Sequence, residues 1–361
     1  MSAVLAHAPH AHASISVSRV MASVMVALTP ATLFGFWLYG WPAFDLWLVN
    51  VLACVTAEYV CLRIAGKPPA ATLADGSAML TGWLLALSLP PWAPWWIAAV
   101  GGAFAIVIGK QVFGGLGQNL FNPAMAARVA LLISFPVEMT TWVAPSPMFS
   151  AGAPGFVEGL GITFGGIAQP DAVTSASLLG HIKSEFTRGL TLQQALAGYF
   201  DPTQAAFGLR AGSMGETSAL LLAMGGLYLV LRRTISWRIP VAMLLGVALP
   251  AAALHAMDPA RYADAALNLL SGSVILGAFF IATDPVGSPS GKAGQLVFGF
   301  GCGLLCYIIR TWGGYPEGVA FAVVLMNALT PVIDRYLRPR IYGRTLGGEG
   351  LDPKRARRSA S

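Results

Sequence analysis

Charge is scarce in this sequence. Asp, Glu, Lys and Arg make up 11% of the 361 residues, against about 25% in a soluble domain. With 56% hydrophobic residues and a mean hydropathy of +0.66, that shortage excludes an ordinary water-solvated globule. Lipid is the solvent that fits. Cysteine is scarce too. Cys54, Cys61, Cys302 and Cys306 all fall inside apolar stretches, so no disulfide framework is expected. No ferredoxin-type cysteine run is present, and no Gly-x-Gly-x-x-Gly opens a helix after a strand. The sequence therefore shows no motif for a nicotinamide site or a ferredoxin-type cluster. No nucleic-acid module is visible. The first residues carry His7, His10 and His12 rather than the positive segment and short apolar core of a cleavable signal. They read as a cytoplasmic tail more readily than as a metal tract.

What is abundant is glycine, proline and apolar runs. The 41 glycines and 24 prolines suit close helix packing and helix breaks inside a bilayer. Segments of about 20 apolar residues, the length of a span, begin near Val20, Ala43, Ala71, Pro94, Pro123, Glu216, Pro240, Ala265, Gln295 and Glu317. The fold class expected is all-α and polytopic, with about ten transmembrane helices. Breaks are expected around Asp75-Gly76-Ser77 and Ser271-Gly272-Ser273. Placing the N-terminus in the cytoplasm puts Arg63, Lys67, Lys110, Arg232, Arg233, Arg238 and Lys292 inside, with the basic tail that holds Arg355, Arg357 and Arg358; this obeys the positive-inside rule. Only Arg261 and Arg310 sit near short outside loops. The expected division is a tail over residues 1–18, a first repeat over 19–140, a periplasmic segment over 141–215, a second repeat over 216–335 and a basic tail over 336–361.

The two halves echo each other. Gly76-Ser77 parallels Gly272-Ser273, and Gly114-Gly115 parallels Gly313-Gly314. About five spans per half would insert the second half inverted relative to the first, with a shared site near the midplane at broken helices. The acids do not line up, because Asp75 precedes the first Gly-Ser and Asp284 lies well after the second. Ionisable residues within spans are functional candidates by default. Here they are Glu58, Asp75, Lys110, Arg128, Asp284 and Glu317. The competing reading is a helix-end side chain that reaches water by snorkelling, and it is the stronger one for Lys110 and Asp284. Arg128 follows Asn122-Pro123 by one turn or so and is placed to meet a carboxylate or a ligand phosphate. Cys302 and Cys306 share a helix face, and four thiolates can hold an iron–sulfur cluster; small buried apolar residues are the plainer reading. The run Asp171-Ala172-Val173-Thr174-Ser175-Ala176-Ser177 is a small-residue loop with accessible hydroxyls, which a modifying enzyme can esterify.

Several longer motifs are then diagnostic. Lys110-Gln111-Val112-Phe113-Gly114-Gly115-Leu116-Gly117-Gln118-Asn119, Phe121-Asn122-Pro123-Ala124-Met125, Gly215-Glu216-Thr217-Ser218, Ala282-Thr283-Asp284-Pro285-Val286 and Tyr315-Pro316-Glu317-Gly318 resemble the RnfD/NqrB family. Its members are membrane subunits of the Rnf complex and of the sodium-pumping NADH:quinone reductase. Gly313-Gly314-Tyr315-Pro316-Glu317-Gly318 after Ile309-Arg310-Thr311 points to the RnfD side. The resemblance implies two inverted halves and an FMN attached through a phosphoester on the outer face, made by a flavin transferase. In its acceptor pattern Asp171 is the acid, Thr174 and Ser175 fill the small polar slots, Ala176 is the alanine and Ser177 is the acceptor. The common acceptor is Thr and the common middle residue is Gly, so Ser177 and Ser175 depart from it. The family also implies a non-covalent riboflavin, with no position assigned by the sequence. Asn122, Arg128, Glu58, Asp75, Asp284 and Glu317 are the candidates for a flavin or ion path.

The resemblance further implies the A, B, C, E and G subunits of an Rnf complex as partners, and electron transfer coupled to Na+ or H+ movement in the bacterial inner membrane. No bound metal and no nucleic-acid partner are expected. Three rival readings remain open on the residues themselves: a non-redox inverted-repeat channel or transporter, the NqrB-type subunit of a quinone reductase, and a structural scaffold with an unmodified loop. Fold alone does not separate them.

Overall fold

The structure, a computed structural model, describes residues 16–150, 152–165, 178–188, 191–192, 194, 208–209, 211–315 and 317–337. Helix is the regular structure throughout, and no strand occurs among the described residues. This follows from the solvent: backbone groups in lipid must be satisfied within their own segment.

The N-terminal half contains α1 (Val17–Tyr39), α2 (Trp41–Ile64), the short α3 (Pro69–Leu73), α4 (Ser77–Ser88), α5 (Trp95–Ile106) and α6 (Pro123–Ser134). At its end α5 widens into a π turn, Val107–Gln111. The short helices α7 (Pro136–Thr140), α8 (Phe156–Phe164) and α9 (Leu178–Thr187) follow. The C-terminal half contains α10 (Ala219–Leu231), α11 (Arg238–Met257), α12 (Ala265–Leu270), α13 (Val274–Leu276), α14 (Lys292–Trp312) and α15 (Val319–Tyr336). A second π turn, Gly277–Ile281, extends α13.

Helices α1, α2, α11, α14 and α15 are the 5 that are long and apolar enough to cross a membrane; α4, α5 with its π turn, α6 and α10 are shorter apolar helices. The chain is a multi-pass membrane protein. Its exterior agrees with that, since Leu52, Val60, Leu227, Leu249 and Leu329 all point outward. Such a surface is stable against hydrocarbon and aggregation-prone in water.

Helix starts follow local chemistry. The side chains of Asn122, Ser218 and Asp264 accept from the N–H groups of Met125, Leu221 and Leu267, and Pro123 fills the first helical position, where a missing N–H costs nothing. Both expected breaks are present. α3 stops before Asp75, and α12 is separated from α13 by Ser271–Ser273. Gly76 and Gly272 hold φ of +78° and +66° there, a left-handed conformation that costs other residues about 1–2 kcal/mol.

Small residues bring the long helices together. α11 and α14 pack along much of their length, and a Cβ at Gly303 would strike the Met243 carbonyl. Close approach of this kind replaces the hydrophobic drive that lipid cannot supply. The buried core runs through both halves without interruption, from Leu46 and Leu85 to Val247 and Phe298. A direct polar tie joins them as well: Asn122 N–H donates to Asn327 Oδ1 at 3.1 Å, and Asn327 Nδ2 donates to the Gly287 carbonyl at 2.8 Å.

Candidate functional site

The first helix break carries a chain of charged and polar groups. Lys110 Nζ donates to Glu58 Oε1 at 2.5 Å and to Ser77 Oγ at 2.6 Å. The Ser77 hydroxyl donates in turn to Asp75 Oδ1 at 2.5 Å, and Gln111 Nε2 donates to Glu58 Oε1 at 2.8 Å. The chain therefore runs from half-buried Asp75 to Glu58, which is fully buried. Lys110 is 1% exposed. That corrects the helix-end snorkelling expected for it: the π turn directs the side chain inward, onto a carboxylate 52 residues earlier in the chain.

The second break is built on the same plan. Ser273 Oγ donates to Glu317 Oε2 at 2.6 Å, and Arg310 Nη2 donates to Glu317 Oε1 at 2.8 Å. Arg310 Nη1 donates to the Asn268 carbonyl at 2.8 Å. In each half a left-handed glycine precedes a serine, and a cation at the end of the second helix after the break, α5 with its π turn or α14, closes the group. The correspondence that fails for the acids holds for Lys110 and Arg310. The sequence puts Arg310 near an outside loop; in the fold it is 5% exposed and ion-paired. Its place seven residues before Glu317 and just before the Gly-Gly run is the signal the sequence offers for that pairing.

Other expected residues are placed separately. Arg128 is 4% exposed, and its Nη1 has no hydrogen-bond partner. Glu216, part of a family motif but not a candidate in its own right, accepts from Ser213 Oγ at 2.9 Å. Asp284 is half-buried, caps Val286 N–H at 3.3 Å, and lines a cavity rather than joining either charged group. That cavity, of about 220 Å³, lies where the halves meet. Its apolar wall includes Met21, Leu80 and Phe279, and its polar groups include Lys110, Asn119, Asn122 and Asp284. Asn119 Oδ1 is buried without a partner. A largely apolar pocket with a few convergent polar groups is the usual form of a small-molecule site. Asn119 does not stand out within its motif, because its role depends on Asp284 arriving from the opposite half.

Asp171, Thr174, Ser175, Ala176 and Ser177 lie outside the described residues, as do His7, His10 and His12. Cys54, Cys302 and Cys306 are buried and Cys61 is half-buried. Among the described residues no group of three His, Cys, Asp or Glu side chains converges.

The profile of the NQR2, RnfD, RnfE family matches residues 4–343. The chain belongs to that family. Within the family, it is 54% identical over 347 residues to the D subunit of the ion-translocating oxidoreductase complex of Halorhodospira halophila, covering 96% of this chain and 97% of the relative. The D subunit of the same complex from Stutzerimonas stutzeri is 54% identical over 336 residues, 93% of this chain and 95% of the relative. The one from Escherichia coli strain SE11 is 40% identical over 354 residues, 95% and 99%. These relatives agree with the RnfD side of the family. Some residues of the motifs quoted above gather here: Lys110 and Gln111 at the first charged group, Glu317 at the second, and Asn119, Asn122, Thr283 and Asp284 around the cavity.

Proposed function

We propose that this chain is an electron-transfer membrane subunit of an ion-translocating oxidoreductase complex in a bacterial inner membrane, with FMN esterified at Ser177. The observation that carries the reading is the near full-length match to relatives named as the D subunit of such a complex. We further read about ten spans in two inverted halves, with both ends in the cytoplasm and residues 141–215 in the periplasm. The matched glycine–serine breaks, each with its own buried cation, support the repeat. Electrons from a cytoplasmic donor would then have to cross the membrane to reach the attached flavin.

The acceptor position suits the ester. Leu178 opens α9 directly after Ser177. The N-terminal end of a helix favours an anion, which suits a phosphoester one residue before α9 in the sequence. The cavity between the halves suits the second, non-covalent flavin. Its apolar wall would take a planar ring, and the unpartnered Asn119 Oδ1 would accept from a ring N–H, with Asn122 and Asp284 as further polar contacts. Flavins supply one- and two-electron chemistry; binding, orientation and electrostatics belong to the protein.

This chain's own residues would do the following. Asn119, Asn122 and Asp284 orient a ligand at the cavity. Lys110 lines that cavity and neutralises Glu58 behind it, so a change of charge in the cavity is felt by the chain running to Asp75. Coupling to Na+ or H+ has to supply about 2.3 kcal/mol for each charge moved against 100 mV. The other complex subunits hold the nicotinamide and ferredoxin sites.

Denaturing electrophoresis under ultraviolet light tests the attachment. Chain expressed with a flavin transferase gives a fluorescent band, Ser177→Thr keeps it and Ser177→Ala loses it. A dark wild-type band would rule out the covalent flavin and favour a channel or scaffold.

A further inference from the structure

Helices α1 and α10 pack side by side, and an apolar groove of about 250 Å³ runs between them. Val26, Ala27 and Pro30 of α1 and Leu221, Met224 and Tyr228 of α10 line it. Val26 and Met224 are both exposed, so the groove opens outward. The two helices touch at Gly225, where a Cβ would strike the Ala27 carbonyl. From Leu221 to Tyr228 the helix rises about 10 Å, which makes the groove a slot that suits an extended hydrocarbon chain.

One end of the slot is charged. Tyr228 is the lining residue nearest the end of α10, and the Arg232 guanidinium lies 6.0 Å from the centre of its ring. Arg232 caps α10 and Arg233 follows it. Arg233 has a φ of +57°; its N–H donates to the Val230 carbonyl and the Thr234 N–H to the Leu229 carbonyl. Glycine usually fills this helix-ending position, because a side chain there carries backbone strain. Arg232 already answers the helix dipole, so helix ending does not explain a second arginine held against strain. Neither arginine joins an ion pair among the described residues.

The surroundings indicate the level in the membrane. Leu227 and Leu231 on α10, and Trp237, Val241, Leu245 and Leu249 on α11, recur every four residues and are all exposed. The Arg238 guanidinium lies over the Trp237 ring at 5.3 Å. Cations at the edge of an outward apolar band, with Tyr and Trp beside them, mark the level where headgroups begin. An apolar slot that ends at guanidinium groups fits an amphiphile with a hydrocarbon chain and an anionic head. We propose that the groove binds an anionic phospholipid, with one acyl chain between α1 and α10 and the phosphate at Arg232 and Arg233. Guanidinium forks hold phosphate oxygens through charge-assisted bonds. The proposal is independent of the flavin reading.

The test follows the thermal midpoint of the full chain in detergent while phosphatidylglycerol, phosphatidylcholine or inorganic phosphate is titrated in. A ligand of the folded state raises the midpoint. Phosphatidylglycerol should do so at about tenfold lower concentration than phosphatidylcholine, and inorganic phosphate should have no effect. Arg232→Gln, at an exposed position, should leave the lipid-free midpoint unchanged and require about tenfold more phosphatidylglycerol. Arg233→Gly relaxes the turn, so its lipid-free midpoint should not fall while its lipid response does; an arginine of purely structural use would not separate the two. Val26→Phe, which adds bulk to the groove, should weaken the response to both lipids. Equal responses to the two lipids, a rise with inorganic phosphate, or a phosphatidylglycerol response that Arg232→Gln and Val26→Phe retain overturns the proposal. No response to any of the three overturns it too, and leaves the groove to a helix of another subunit.

Discussion

Glu58 and Lys110 form an ion pair of 2.5 Å whose side chains are 0% and 1% exposed. Removing one partner of a buried pair leaves the other charge uncompensated, which costs about 3–5 kcal/mol. Lys110→Met should therefore lower the thermal midpoint sharply and cut the yield of folded protein. Adding Glu58→Gln should recover most of the loss, because Gln111 still has an acceptor at position 58. A double variant no more stable than Lys110→Met would show that the pair is not what holds α2 to the π turn.

The two glycine breaks should respond unequally to alanine. At Gly76 the added methyl would meet Met25 Cε at 3.4 Å, a flexible tip, so the cost is the left-handed backbone alone, about 1–2 kcal/mol. At Gly272 it would overlap Glu317 and Arg310 and disrupt the second charged group as well. Gly272→Ala should fail to accumulate under conditions where Gly76→Ala does. Equal melting curves for the two variants would contradict the packing at Ser273.

Those breaks are legible in the sequence because a glycine beside serine and an acid interrupts an apolar run in a recognisable way. The charged groups built on them are not. Hydropathy reports how far Lys110 lies along a span, and so it suggests snorkelling; it does not report that a π turn aims the ammonium at Glu58 on another helix. The same applies to Arg310, whose nearness to a loop hides its burial. The cavity is illegible for a further reason. Asn119 and Asn122 come from one half, and Thr283 and Asp284 from the other, so no contiguous motif contains the site. The acceptor run around Ser177 rests on local pattern and resemblance, and its test is chemical.

The cysteines should differ in reactivity. Cys54, Cys302 and Cys306 are 0% exposed, while Cys61 is half-buried near the end of α2. A thiol must reach water as thiolate to react. Maleimide should therefore label native protein at Cys61 first, and Cys61→Ser should abolish the fast phase while unfolding in detergent exposes the rest. Fast labelling that survives Cys61→Ser would mean that α14 or the inner face of α2 opens to solvent.

Asn327 tests whether the cavity and the Ser177 loop carry separate flavins. Its side chain satisfies the Asn122 N–H and the Gly287 carbonyl, which come from opposite halves. Asn327→Leu leaves the buried Asn122 N–H without its partner, at about 1–3 kcal/mol, while the Gly287 carbonyl keeps the Thr330 hydroxyl, and it frees the Asn122 end of the cavity from the Asp284–Gly287 turn. On the proposed reading, flavin released by acid from the purified chain should fall, since the cavity wall would hold that fraction. The in-gel flavin band should stay at the wild-type level, since the proposed ester would need only the Asp171–Ser177 run and its transferase. A loss of both together would mean that the two flavin signals share one site.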